Sequence, residues 1–168
     1  MASGRMMRYD DEYVRYGVAE IFLFIEPLKG RRFVHVTKRR TKKDWALQIR
    51  DLLQRYPKAR QIRLVMDNLN THSIASLYET FPADEARRLV ERLDIHYTPK
   101  HGSWLNMAEI EFSVLSNQCL NRRIATIVSM RNEIIAWQNN RNNRQTPIQW
   151  QFTTDTARIK LKKLYPNL

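Results

Sequence analysis

The chain has 168 residues, 29 Lys+Arg against 17 Asp+Glu for a formal charge of +12, and 43% hydrophobic residues. That is enough apolar material for one ordinary core, which excludes a mainly disordered chain, while the positive field favours a polyanionic partner, nucleic acid first. The single cysteine, Cys119, excludes an internal disulfide, the four histidines show no zinc-finger spacing, and the apolar stretch Val18 to Ile25 contains Glu20 and is too short for a bilayer. A reduced, cytoplasmic protein is the expectation.

Val18 to Ile25 is rich in β-branched and aromatic residues and stops at a turn marked by Pro27 and Gly30; Arg31 to Lys38 then reads as a second strand, so Val18 to Thr37 predicts a hairpin. Thr41, with Asp44 three residues on, opens a helix in which Trp45, Ile49, Leu52 and Leu53 recur at helical spacing before Tyr56-Pro57 ends it. Gln61 to Met66 suits a buried strand returning beside the hairpin in the same sheet. Two helical pieces follow, split by Pro82, then a short strand from Asp94 to Thr98 that breaks at Pro99. The next helix carries an apolar stripe of Leu105, Ala108, Phe112 and Leu115, a further one spans about Ile127 to Asn140, and Asn139 to Arg144 is a polar junction. Thr153 or Thr154 caps a short basic helix in the tail, residues 145–168. The order predicts a single α/β domain, residues 1–168, with a mixed sheet whose ligands gather at the carboxyl ends of strands.

Asp67 closes one such strand. Taken alone, a carboxylate there is explained better by turn formation or helix capping with Asn68, Asn70 and Ser73 nearby, and the residues after the next strand shift the reading. A turn, Trp104 and a helix bearing Glu109 and Glu111 follow directly. Two-metal phosphodiester chemistry needs oxygen ligands from several carboxylates, because hard cations prefer oxygen and the ions stabilise the attacking and leaving oxygens. A strand-end Asp and a helix Glu converging on one place supply part of such a set.

The blocks "LVMDNLNTH" and "HYTPKHGSWLNMAEIEF", in that order and in strand and helix settings, resemble the catalytic domain of bacterial insertion-sequence transposases related to the mariner group, the DDE superfamily endonucleases. The resemblance runs from about Tyr9 to Pro166. It implies a ribonuclease-H-like fold, a mixed sheet flanked by helices, with Mg²⁺ (or Mn²⁺) as cofactor for cleavage of transposon ends and strand transfer into target DNA, and a homodimer in the full-length transposase. It makes Asp67 the second catalytic aspartate and metal ligand, and Glu109, at the end of Asn106-Met107-Ala108-Glu109, the final acidic one. Helical periodicity does not separate Glu109 from Glu111, which lie roughly 200° apart and each flank the apolar stripe; the N-x-x-E match favours Glu109 and leaves Glu111 on a solvated face.

Two departures stand out. The 41 residues between Asp67 and Glu109 exceed the usual mariner-like spacing, with the excess assigned to the helical segment around Pro82. The family's first aspartate ends a first strand ahead of the hairpin, and this chain begins about where the hairpin begins, so that strand and that carboxylate are expected to be lacking. Asp10, Asp11 and Glu12 end no apolar strand and are weak substitutes. The expected function is a transposase catalytic fragment with weak metal binding and weak activity alone. The alternatives are a non-catalytic, basic DNA-binding remnant, or a complete nuclease recruiting Asp10 or Asp11.

Around the acidic pair, Asn68 is expected to position Asp67, and His72 and His101 to orient a phosphate or water. Trp104 is expected in the core. Arg31, Arg32, Lys38, Arg39, Arg40, Lys42 and Lys43 are expected to contact DNA, since lysines at a helix start, where the dipole disfavours cations, suit phosphate. Lys160, Lys162 and Lys163 form a second basic set, and a bacterial, nucleoid-associated location follows from these readings.

Overall fold

The computed structural model describes residues 17–99, 106–151 and 153–162. Strand β1 (Glu20–Glu26) and β2 (Arg31–Thr37) form the expected antiparallel hairpin, with Phe22 opposite His35 and Phe24 opposite Phe33. Gly30 makes the turn at φ +62°, and a Cβ there would lie 2.6 Å from the Thr146 backbone, so both conformation and proximity demand glycine.

Helix α1 (Lys42–Arg55) begins at the predicted cap: the Thr41 side chain accepts from the Asp44 amide, and the Asp44 carboxylate accepts from the Thr41 amide at 2.9 Å. The Tyr56 hydroxyl after its last turn donates to Glu26 at 2.9 Å, tying the end of α1 to the end of β1; burial and this bond push the phenol up to about 12. Strand β3 (Ile62–Met66) then pairs in parallel with β4 (Leu93–Tyr97), through the crossover formed by α2 (Ile74–Thr80) and α3 (Ala83–Glu91).

The single mixed sheet expected from the sequence is replaced by two two-stranded sheets, β1-β2 and β3-β4, among the described residues. Helix α1 bridges them. Phe22, Trp45, Ile49, Leu53, Met66 and Leu77 form one core between α1, the hairpin and β3. Because side chains alternate along a strand, Ile21, Leu23, Val34 and Val36 face the other way, into a second core with Leu115, Ile134 and Trp137. That core belongs to α4 (Met107–Leu115), continued by a π-helical turn over Ser116–Leu120, and to α5 (Ile127–Asn143). Helix α6 (Thr154–Leu161) starts at the expected Thr153 cap, whose hydroxyl accepts from the Thr156 amide. Among the described residues no helix is long and apolar enough to cross a membrane.

Helix α5 runs three residues past Asn140 and puts the polar junction to structural use. Asn142 Oδ1 accepts from the Arg32 amide at 2.8 Å and its Nδ2 donates to the Arg32 carbonyl at 2.9 Å, while Gln138 accepts from the Val34 amide and Arg131 donates to the Val36 carbonyl. Side chains of α5 thereby satisfy the outer edge of β2, as an additional strand would.

Candidate active site

A cavity of about 950 Å³ lies between β1 and β3, with Asp67, His72, Arg40, Asn106 and Glu109 among its lining residues. Asp67 follows the last residue of β3; Glu109 occupies the first turn of α4, where Asn106 caps the helix by accepting from the Ala108 amide at 3.1 Å. The carboxylates among the cavity's lining residues are Glu26, Asp67 and Glu109.

Asp67 is partly open, its side chain 44% exposed, and Oδ1 lies 3.2 Å from His72 Nδ1. The imidazole is stacked on Trp45, with ring centroids 5.8 Å apart. Burial holds His72 below the ordinary imidazole value, opposed by Asp67 and reinforced by Arg40. A neutral ring beside a carboxylate acceptor presents Nδ1–H as donor, and Nε2 remains an acceptor, buried without a partner among the described residues. His72 is thus within hydrogen-bond reach of Asp67, and Asn68 is exposed. His101, Trp104 and Leu105 lie outside the described residues, as do Asp10, Asp11 and Glu12.

Glu111 is not on a solvated face. It is 1% exposed and meets Arg32, itself 0% exposed, through Arg32 Nε at 2.5 Å and Nη2 at 3.1 Å. Arg141 joins from α5, with Nε 3.1 Å from Glu111 Oε1. Arg32 also donates to the Gly30 and Thr146 carbonyls. Its guanidinium is fully engaged inside the protein, so Arg32 leaves the set of expected DNA contacts. A period of two along β2 carries the signal for this: it puts Arg32 on the same buried face as Val34 and Val36. The buried line is correspondingly Glu111 and Leu115 of α4 and Cys119 of the π-helical turn that continues it, while Phe112 is half-buried. A stripe drawn from apolar residues alone misses a buried glutamate.

The other expected DNA contacts are exposed. Arg31 lies at the turn end of β2, whereas Lys38, Arg39, Arg40, Lys42 and Lys43 lie at its opposite end, leading into α1. Lys42 bonds Glu79 at 2.7 Å and Arg40 is 3.9 Å from Glu20. In the tail the Lys162 side chain is exposed, and Lys160 and Lys163 are beyond the described side chains.

The carboxylates suit a hard cation in kind, but no group of three potential Asp, Glu, His or Cys ligands occurs among the described residues.

Comparison with known families matches residues 1–131 to the DDE superfamily endonucleases. No curated protein and no solved structure matches the chain. The match covers the hairpin, Asp67, His72 and Glu109, and because it spans well over half of the sequence, the chain belongs to the DDE superfamily endonucleases.

Proposed function

We propose that the chain is the catalytic portion of a DNA transposase of the insertion-sequence, mariner-related kind, acting on transposon ends and target DNA as part of a homodimer. The observation that supports this reading is that Asp67, after β3, and Glu109, in α4, line one cavity, which Arg40 lines as well. Asp67 and Glu109 would hold Mg²⁺, or Mn²⁺ in its place, which supplies Lewis-acid polarisation of a phosphodiester. His72 keeps Asp67 in place through its Nδ1–H, and Asn106 fixes the start of the helix that carries Glu109. Arg40, with exposed Lys38, Arg39 and Lys43, would draw the DNA backbone towards the acidic pair. The reading assigns two carboxylates among the described residues, fewer than a two-metal site needs, and includes a ribonuclease-H-like sheet whose first strand and first aspartate are not among them, with weak chemistry by this chain alone.

Nicking of supercoiled plasmid in Mn²⁺, with DNA binding followed in parallel, tests the proposal. Slow nicking by the full chain, abolished by Asp67→Asn with DNA affinity retained, is expected. DNA binding that ignores metal and Asp67→Asn, with no nicking, would instead identify a basic DNA-binding protein that lacks the chemistry. Binding should weaken with salt, and replacing Lys38, Arg39 and Lys43 by Ala should lower the slope of log K against log salt by about 0.9 for each phosphate that is no longer neutralised.

A further inference from the structure

Helix α4 buries a glutamate and leaves an isoleucine out. Glu111 is 1% exposed, whereas its neighbour Ile110 is 43% exposed. Apolar burial alone would choose the reverse, so something besides the hydrophobic effect sets how α4 is turned about its axis. The sequence shows why a choice is needed. At about 100° per residue, Ala108, Phe112 and Leu115 make one apolar stripe and Met107, Ile110 and Val114 make another, with Glu111 in the seam between them. Turning the helix by about 100° would put Ile110 where Glu111 is and Glu109 where Ile110 is. Glu109 lines the cavity with Asp67, and Ile110 does not.

Charge decides between the two turns. Arg32 grips Glu111 from β2 with a forked pair, Nε 2.5 Å from Oε1 and Nη2 3.1 Å from Oε2, and Arg141 reaches the same carboxylate from α5, with Nη2 3.0 Å from Oε1. Arg32 is itself fixed, since Nη1 and Nη2 donate to the Gly30 and Thr146 carbonyls and Asn142 brackets its backbone. A forked ion pair is directional, and the observed turn of α4 is the one that brings Glu111 to it. Such a buried triad adds little net stability over apolar side chains of like volume, because desolvation offsets the attraction; what it adds is a unique arrangement. A single buried polar residue fixes the register of packed helices in the same way.

We propose that Glu111 is the positioning residue for Glu109. Arg32 and Arg141 hold Glu111 inward, and Glu109, roughly 200° away around the helix, is thereby held at the cavity that Asp67 lines. The consequence for a metal rests on the reading of Glu109 as a ligand, whereas the turn of the helix does not, and the two are measured apart.

The variant Arg32→Met, Glu111→Leu, Arg141→Leu replaces the triad by apolar side chains and is expected to unfold in urea at the same midpoint or a higher one. In it α4 should populate both turns. Cysteines introduced singly by Ala108→Cys or Ile110→Cys, each with Cys119→Ala, report the turn through their rates of alkylation by iodoacetamide. The ratio of the rate at position 110 to that at position 108 should fall by about fivefold or more, and Mn²⁺ affinity by a similar factor, as for a competent state populated about one time in five. Arg32→Lys keeps the charge and loses the fork, so it should shift both readouts in the same direction, and it decides the matter alone if the triple variant does not fold. An unchanged rate ratio in the folded variants would overturn the proposal, whatever the ion does. A changed ratio with no effect on Mn²⁺, or a chain that binds none, would instead remove Glu109 as a ligand and leave its positioning by Glu111 standing.

Discussion

Glu109 and Glu111 are two positions apart on one helix and have opposite fates. Glu109 is exposed at the cavity, and Glu111 is enclosed by Arg32 and Arg141. Removing the charge of Glu111 leaves two guanidinium groups facing a neutral amide, one of them fully buried. Glu111→Gln should cost about 3 kcal/mol of stability, whereas Glu109→Gln should stay within about 0.5 kcal/mol. Urea unfolding of the two variants checks this contrast, and equal midpoints would contradict it. The half-buried histidines His35 and His72 give a second expectation. Burial lowers His35, and it lowers His72 against the opposing pull of Asp67, from an unfolded value of 6.5. Below that value the unfolded chain takes up protons before the folded one, so this stabilisation is full above it and is lost as pH falls. The urea midpoint should therefore drop between about pH 7.5 and about pH 5.5, and His72→Asn should shrink the drop. A drop of the same size in that variant would remove His72 from the account.

Among the elements, those with local signals were legible. The Thr41 capping box, the stop at Tyr56, the hairpin turn and the Thr153 cap each depend on residues within a few positions of one another, and each forms as the sequence predicts. The way α5 serves β2 was not legible, because Gln138, just before the polar junction, and Asn142, within it, act on β2 from more than a hundred residues away and nothing in their own neighbourhood marks them. Gly30 illustrates the same limit. The sequence predicts its turn, but its closeness to Thr146 comes from tertiary packing. Gly30→Ala should destabilise the protein by about 2 kcal/mol or more, from the left-handed backbone together with the clash. Thermal unfolding reads this directly, and an unchanged midpoint would show that the turn and the chain after α5 do not meet as described.

Over the whole molecule, a strand's neighbours are its least local property, and there the sequence reading departed most from the structure. Hydrophobic alternation marks a strand's faces and is silent about its edges, so two separate sheets read as one. Asp67 and Glu109 were legible as candidates because each lies in a recognisable block, yet their lining of one cavity depends on α1 holding β3 beside the hairpin and on α4 packing against the hairpin's other face. That these two carboxylates serve one metal site is the central proposal, and Mn²⁺ binding followed by electron paramagnetic resonance tests it most directly. The full chain should bind the ion weakly; Asp67→Asn and Glu109→Gln should each weaken binding by about tenfold, roughly 1.4 kcal/mol, and the double variant should bind little worse than either alone, because both carboxylates serve one site. Independent, additive effects, or an affinity that neither substitution changes, would contradict the account.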